Sequence, residues 1–484
     1  MPARLRKWFQ SIAAAAVMCA AVTEADSSPG IGTSSVPAAV DAPLPEDGKP
    51  RPTPNYRGRV ELPPVSQRLL WIPRVALAPV YVATDMAARP LAILATYAER
   101  DHWRVRVYDF FTFGSENQVG IFPTGRIDLG FRPSAGVYFF WNDIWGSSDV
   151  HARATSGGSD LWTADISWRW PTTSGAMSLG GHFSERPDSA FYGLGGASSS
   201  VPARFGERHF ELTMRHRQWL SPTLALTLFV GHEAWAFDAD PNDARYDSLA
   251  RAIAAMRFPA PPALQEGLTA VFGGVRGDFD TRRGRLVRNP REASDYDHVS
   301  GSGVTFRPYA AGHAGLPETP SNSSGRGQLP AWLDYGLMAS GTVDLTGTQR
   351  RLELELYGSF VDPAPSSGPI PFTHLAALGG ARPLRGFGAR RLVDRSALAA
   401  TLRYAWPIWT ELDGSLHAAA GNVFGPHLDG FQLSRLRASF GIGVVTAAPS
   451  DHPFEVLVAC GTEPFESGAS LLDVRFTAGT AANF

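Results

Sequence analysis

Only two cysteines occur in 484 residues. Cys19 falls in the N-terminal leader, so Cys460 stands alone in what remains. An intramolecular disulfide is excluded, and so is a structural metal site built on cysteine. No apolar run reaches the ~20 residues that a transmembrane helix needs. Charge of one sign is missing too. Lys+Arg 44 against Asp+Glu 46 give a formal net charge of -2 with no basic stripe, which excludes nucleic acid as a partner. Glycine and proline are plentiful, at 49 and 38 residues. They suit many turns and argue against long helices.

The N-terminus reads as a secretory signal. Arg4, Arg6 and Lys7 form a basic n-region, and Ile12 to Val22 is a short apolar h-region. Small residues between Ala20 and Ala25 offer cleavage sites, Thr23-Glu24-Ala25 being the preferred one, so residues 1–25 are predicted to be a cleaved signal peptide. Lipid attachment at Cys19 is the weaker alternative, because Met18 before it is not small. Residues 26–70 are rich in Pro, Ser, Ala and Gly, including Pro50, Pro52, Pro54, Pro63 and Pro64. Such a segment buries too little apolar surface to fold alone, and it reads as a periplasmic linker or extended arm.

From residue 71 to 484 the character changes to short runs of alternating apolar and polar residues. In Trp162 to Trp170, one face carries Trp162, Ala164, Ile166, Trp168 and Trp170, and the other carries Thr163, Asp165, Ser167 and Arg169. Arg351 to Leu356 and Phe210 to Arg215 split the same way. A period of two places these sets on opposite sides of a sheet. A soluble antiparallel sheet with its charged face in water alternates too. Repetition over some 400 residues, the leader and the many aromatics at strand ends favour an all-β transmembrane antiparallel β-barrel with a polar lumen. A mean hydropathy of -0.11 agrees, because barrel strands are less apolar than helical spans. Thr281 to Ser302 and Ala311 to Gln328 read as extracellular loops. The chain ends in an alternating strand through Phe476 to a terminal Phe484, which resembles the sorting signal of bacterial outer-membrane proteins, although Ala482 departs from the usual aromatic or large apolar residue.

Leu378-Gly379-Gly380-Ala381-Arg382-Pro383-Leu384-Arg385-Gly386-Phe387 is the most specific stretch. A Gly-Gly pair, a spacer and an Arg-Gly-aromatic tripeptide make a tight loop that presents one cation, as a wet, enclosed barrel lumen allows.

Together with Phe191-Tyr192-Gly193-Leu194-Gly195-Gly196 and Phe279-Asp280-Thr281-Arg282, this stretch resembles the BamA/TamA-like bacterial surface antigen superfamily. That group comprises outer-membrane protein assembly factors and two-partner secretion transporters. The resemblance implies a sixteen-stranded barrel in the bacterial outer membrane. It also implies that Gly379, Gly380, Arg385, Gly386 and Phe387 form a loop folded into the lumen, where Arg385 meets acids of the inner wall. The sequence departs from the pattern there. Arg403 stands where the family has Glu, and Ala419 where it has Asp, which leaves Asp394, Asp280 or Asp334 to partner Arg385. Residues 26–70 are also too short and proline-rich for the family's client-receiving POTRA modules.

No catalytic motif emerges. A Gly-x-Ser-x-Gly elbow is missing, His232-Glu233 lacks a second His, and Gly193-Leu194-Gly195-Gly196 lacks the third spaced glycine of a dinucleotide loop. The chain is read as not an enzyme, without cofactor or metal. Three functions stay open: an insertion or translocation barrel with a weak lateral seam, a passive pore or surface barrel, and an outer-membrane enzyme lacking a visible Ser/His/Asp cluster. The partners expected are outer-membrane lipid, the barrel assembly machinery during biogenesis, and a periplasmic partner that supplies the missing modules.

Overall fold

The computed structural model describes residues 73–75, 77–86, 89–90 and 103–480, apart from 115–116, 146, 197, 242–245, 283–300, 318–327, 347–348, 382, 410–411 and 447–452. The expected signal peptide (1–25), the linker (26–70) and Phe484 lie outside the described residues.

Among the described residues, and leaving aside the two-residue strand Thr112–Phe113 that pairs with Gly120 and Val119, sixteen antiparallel strands close into one barrel. They are β1 Val119–Asp128, β2 Ser134–Ile144, β3 Ser148–Gly158, β4 Leu161–Thr172, β5 Gly175–Phe191, β6 Ala203–Ser221, β7 Leu224–Asp238 and β8 Leu268–Asp280, followed by β9 Gly303–Gly315, β10 Ala331–Asp344, β11 Arg351–Pro363, β12 Ser396–Trp409, β13 Leu412–Phe424, β14 Arg437–Thr446, β15 Phe454–Pro464 and β16 Leu471–Thr480. Each pairs with its neighbour in sequence, and β16 returns to β1.

The alternation decides which face is which. Leu354 and Leu356 are 51% and 52% exposed, whereas Glu355 between them is 7% exposed. In β4, Trp162, Ile166 and Trp168 are exposed while Ser167 and Arg169 are buried. A water-soluble sheet would bury the leucines and expose the acid. Here apolar side chains face outward and polar ones inward, around a closed sheet. No helix among the described residues is long and apolar enough to cross a membrane.

Apart from 281–302, connections at one rim are short, such as Thr173–Ser174 and Pro222–Thr223. At the opposite rim they include residues 239–267, 316–330 and 364–395. The up-and-down order assigns Thr281–Ser302 to the short-turn rim, so it does not share a rim with residues 316–330 as the sequence reading had it. Ala311 to Gly315 belong to β9. Within the 239–267 connection, Leu249–Ala254 forms a short helix, which Ser248 caps by accepting the Arg251 N–H at 3.3 Å.

The barrel begins at Val119 rather than at residue 71, because two stretches before it follow a helical period. Leu77, Val80 and Tyr81 share one helical face, and Tyr81 N–H donates to Leu77 O at 2.8 Å. Leu77 and Val80 pack on Leu345, Tyr404 and Trp406. Tyr404 pairs with Leu352, so this helix lies on the outward face beside the short-turn rim. Arg350, 1% exposed, fastens it: its guanidinium lies 3.9 Å from the Tyr81 ring and donates to Tyr404 Oη at 2.8 Å. Arg350→Ala is expected to weaken this attachment by about 2 kcal/mol. Limited trypsin digestion should then cut faster after Arg74 and Arg89. The second helix, Trp103–Phe111, lies on the inner face, with Tyr108 and Phe111 5.9 and 5.4 Å from Phe122 of β1.

Candidate functional site at the Arg-Gly-Phe loop and the barrel seam

Two of the three motifs come together. Gly379 and Gly380 have φ of +104° and +95°, which side chains disfavour, and Gly380 N–H donates to Phe387 O at 2.9 Å. This turn carries Leu378, Leu384, Phe387 and Leu392, all fully buried, against Ala397, Ala399, Ala419 and Val423. Ala419, in place of the expected acid, is thus a small residue beneath an apolar loop, where an uncompensated carboxylate would be costly.

At the tip, Gly386 N–H donates to Ser439 Oγ of β14 at 2.8 Å. A Cβ on Gly386 would stand 2.0 Å from Cys460 O of β15, and one on Gly461 would stand 2.5 Å from the Phe387 ring. The obstacle is the β15 backbone on the Gly386 side and the buried Phe387 ring on the Gly461 side, so both positions favour glycine.

Arg385 donates to Glu455 of β15, not to Asp394, Asp280 or Asp334, each of which is held elsewhere. Asp280 is gripped by Arg282, two residues on in the Asp-Thr-Arg motif, with Nε at 3.0 Å from Oδ1. That motif ends β8 at the short-turn rim, where Thr281 N–H donates to Val304 O at 3.0 Å, and takes no part in the site. Asp334 accepts from Tyr309 Oη at 3.1 Å. Asp394 accepts the Arg395 N–H at 2.7 Å, and burial pushes its carboxyl up, opposed by that N–H and the Arg395 charge. The seating of Gly386 on β15 explains the choice, because it leaves Arg385 facing the acid of that same strand.

The Tyr-Gly motif braces the base of the loop. Fully buried Arg391 stacks on the Tyr192 ring at 4.0 Å, and its Nε donates to Asp473 Oδ2 at 3.2 Å. Burial pushes the Tyr192 hydroxyl up, and the guanidinium opposes this. Gly195, with φ +94°, donates its N–H to Val393 O at 2.8 Å. Arg437 of β14 reaches Gly196 O at 3.1 Å and Glu463 at 2.9 Å. Neither Arg391 nor Arg437 carried a local motif, and Glu455 lies 70 residues from its partner.

The closing seam lies beside this loop. β16 and β1 pair over three residues only, Thr477 with Asp128, Ala478 with Ile127 and Gly479 with Arg126; the other neighbours pair over eight or more. Leu129 N–H adds one bond to Phe476 O at 3.0 Å, so Phe476 sits at the seam. Arg475 of β16 spans seam and loop. Its Nε and Nη2 donate to Asp128 of β1 at 3.1 and 2.7 Å. Its Nη1 donates to Gly380 O at 2.5 Å and Arg385 O at 3.2 Å.

No protein-family model matches the chain, and no curated protein matches it. Solved structures similar to it include BamA from Haemophilus ducreyi lacking POTRA domains 1-3, at 13% identity over 75% of this chain and 70% of that one, with a TM-score of 0.49. CdiB from Acinetobacter baumannii matches at 9% identity over 75% of this chain and 59% of that one, with a TM-score of 0.45. CdiB from Escherichia coli matches at 13% over 75% and 62%, also with a TM-score of 0.45. The chain spans less than two thirds of either CdiB.

Proposed function

We propose that this chain is an outer-membrane barrel of the BamA/TamA-like surface antigen superfamily, acting without a catalytic step of its own. It assists insertion or translocation of protein or lipid by parting β1 from β16. The observation that carries this reading is the seam: three pairs where every other neighbour has eight or more. Each lost pair removes backbone hydrogen bonds that the bilayer core does not replace, so this is where the wall parts at least cost. The loop from Gly379 to Phe387 serves as a lumenal plug, and Arg475 makes plug and seam release together. Outer-membrane lipid enters at the parted strands. The barrel assembly machinery inserts the chain itself, and a periplasmic partner delivers clients.

A disulfide across the seam tests this. Ile127 and Ala478 are directly paired, and the double variant Ile127→Cys/Ala478→Cys should lock the strands. Cells relying on the locked barrel are expected to lose the function that depletion removes, measured as outer-membrane protein and lipid levels, and to recover it on reduction. Full function in the locked state would refute the reading. Intact assembly on depletion, with steady single-channel conductance of the wild-type barrel, would identify a passive pore.

A further inference from the structure

A second constellation lies away from the Arg-Gly-Phe tip, where the 364–395 connection meets β7 and β9. Glu233 of β7, His313 of β9 and His374 of the connection bring one ligand atom each within 4.8 Å of one another. His313 Nδ1 is 3.3 Å from Glu233 Oε1, and His374 Nε2 is 3.0 Å from Glu233 Oε2. We infer that these three side chains form a binding site for a divalent zinc-class cation that pins the 364–395 connection to the inner wall.

The donor set fits. Two imidazoles and one carboxylate suit Zn2+, whose ligands lie at about 2.0–2.2 Å, and they leave a fourth position for water. Ligand atoms around such an ion stand about 3–3.6 Å apart; each imidazole already lies that close to one Glu233 oxygen, and the widest separation, up to 4.8 Å, must draw in on binding. The surroundings hold each donor in place. Thr373 Oγ1 lies 3.0 Å from His374 Nδ1, a partner for that nitrogen's proton that leaves Nε2 free to ligate. The His313 ring stacks on Trp332 at 4.8 Å and 10°. Trp235 Nε1 donates to Glu233 Oε2 at 3.0 Å. Glu233 is buried, at 4% exposed. A buried carboxylate between two imidazoles is served either by a proton shared with each or by one cation bound to all three. The spacing to 80 and 141 residues away leaves no trace as a local motif. This inference is independent of whether the seam opens.

The full chain, refolded in detergent micelles and freed of metal, should be dialysed against Zn2+ and assayed by elemental analysis. About one Zn2+ per barrel is expected, with Glu233→Gln and His374→Ala each weakening binding by about 100-fold or more. Zn2+ should also protect the chain beside His374 from protease in the wild type alone. Glu233→Gln keeps the side chain's shape, so it guards against a variant that fails to fold. Co2+ bound to the wild type needs no variant: visible bands of four-coordinate cobalt, displaced by Zn2+, are expected. No stoichiometric Zn2+ and no such bands, or equal binding by Glu233→Gln, would overturn the site and leave a hydrogen-bonded Glu-His-His cluster.

Discussion

Gly386→Ala is expected to unseat the tip of the Arg-Gly-Phe loop while leaving the barrel folded. The added Cβ would stand 2.0 Å from Cys460 O and 2.8 Å from Gly461 N. These atoms cannot yield, because β15 is hydrogen-bonded to β14 and β16. The loop must lift instead. It then loses the Gly386 bond to Ser439, the Arg385 pair with Glu455, and the burial of Phe387. A phenylalanine removed from its pocket forfeits about 1.5–3 kcal/mol, and the polar contacts bring the loss to about 3–5 kcal/mol. Trypsin should then cut after Arg385, where the wild type is expected to resist, and a reconstituted barrel should conduct more. Gly461→Ala attacks the same contact from the wall side, through the Phe387 ring, and should give a smaller effect of the same sign. If the protection at Arg385 is unchanged in Gly386→Ala, the tip does not rest on β15.

Much of this architecture was legible because its signals are local. A period of two in Trp162 to Trp170 separates two faces whichever is wet, and it is the outward exposure of the apolar face, in β4 as in the leucines of β11, that decides between barrel and soluble sheet. The double glycine at Gly379 and Gly380 is legible for the same reason, since each backbone demands it. Lysine occurs only at Lys7 and Lys49, so all the barrel's basic side chains are arginines, whose forked donors suit paired sites in a confined lumen. What escaped is non-local. The acid that meets Arg385 is set by where Gly386 touches β15, and no spacing along the chain encodes it. Ala419 reads as a lost counter-ion in sequence, yet it lies under Leu378 and Phe387 in the core. The outer helix escaped because its apolar face is short and its fastener, Arg350, lies 269 residues after Tyr81.

Arg475→Ala is expected to loosen seam and loop at once, because one guanidinium serves both. Breaking a buried, bidentate arginine–carboxylate pair costs about 3–5 kcal/mol. Arg126 Nη2, 3.6 Å from Asp128, remains to offset part of that, so a net loss of about 3 kcal/mol is the better expectation. That corresponds to a roughly 100-fold rise in the open population of the seam, at tenfold per 1.4 kcal/mol. With only three strand pairs to resist, the change should be confined there. Backbone amides of Ile127 and Ala478 should exchange with deuterium far faster, while those of β14 and β15 keep their protection. Arg475→Lys keeps the charge but not the fork. It should hold Asp128 while releasing the carbonyls of Gly380 and Arg385, and so free the loop more than the seam. Equal loosening of both by Lys and Ala would mean that charge alone joins them. Unchanged exchange at Ile127 in the alanine variant would mean that the loop and the seam are held independently.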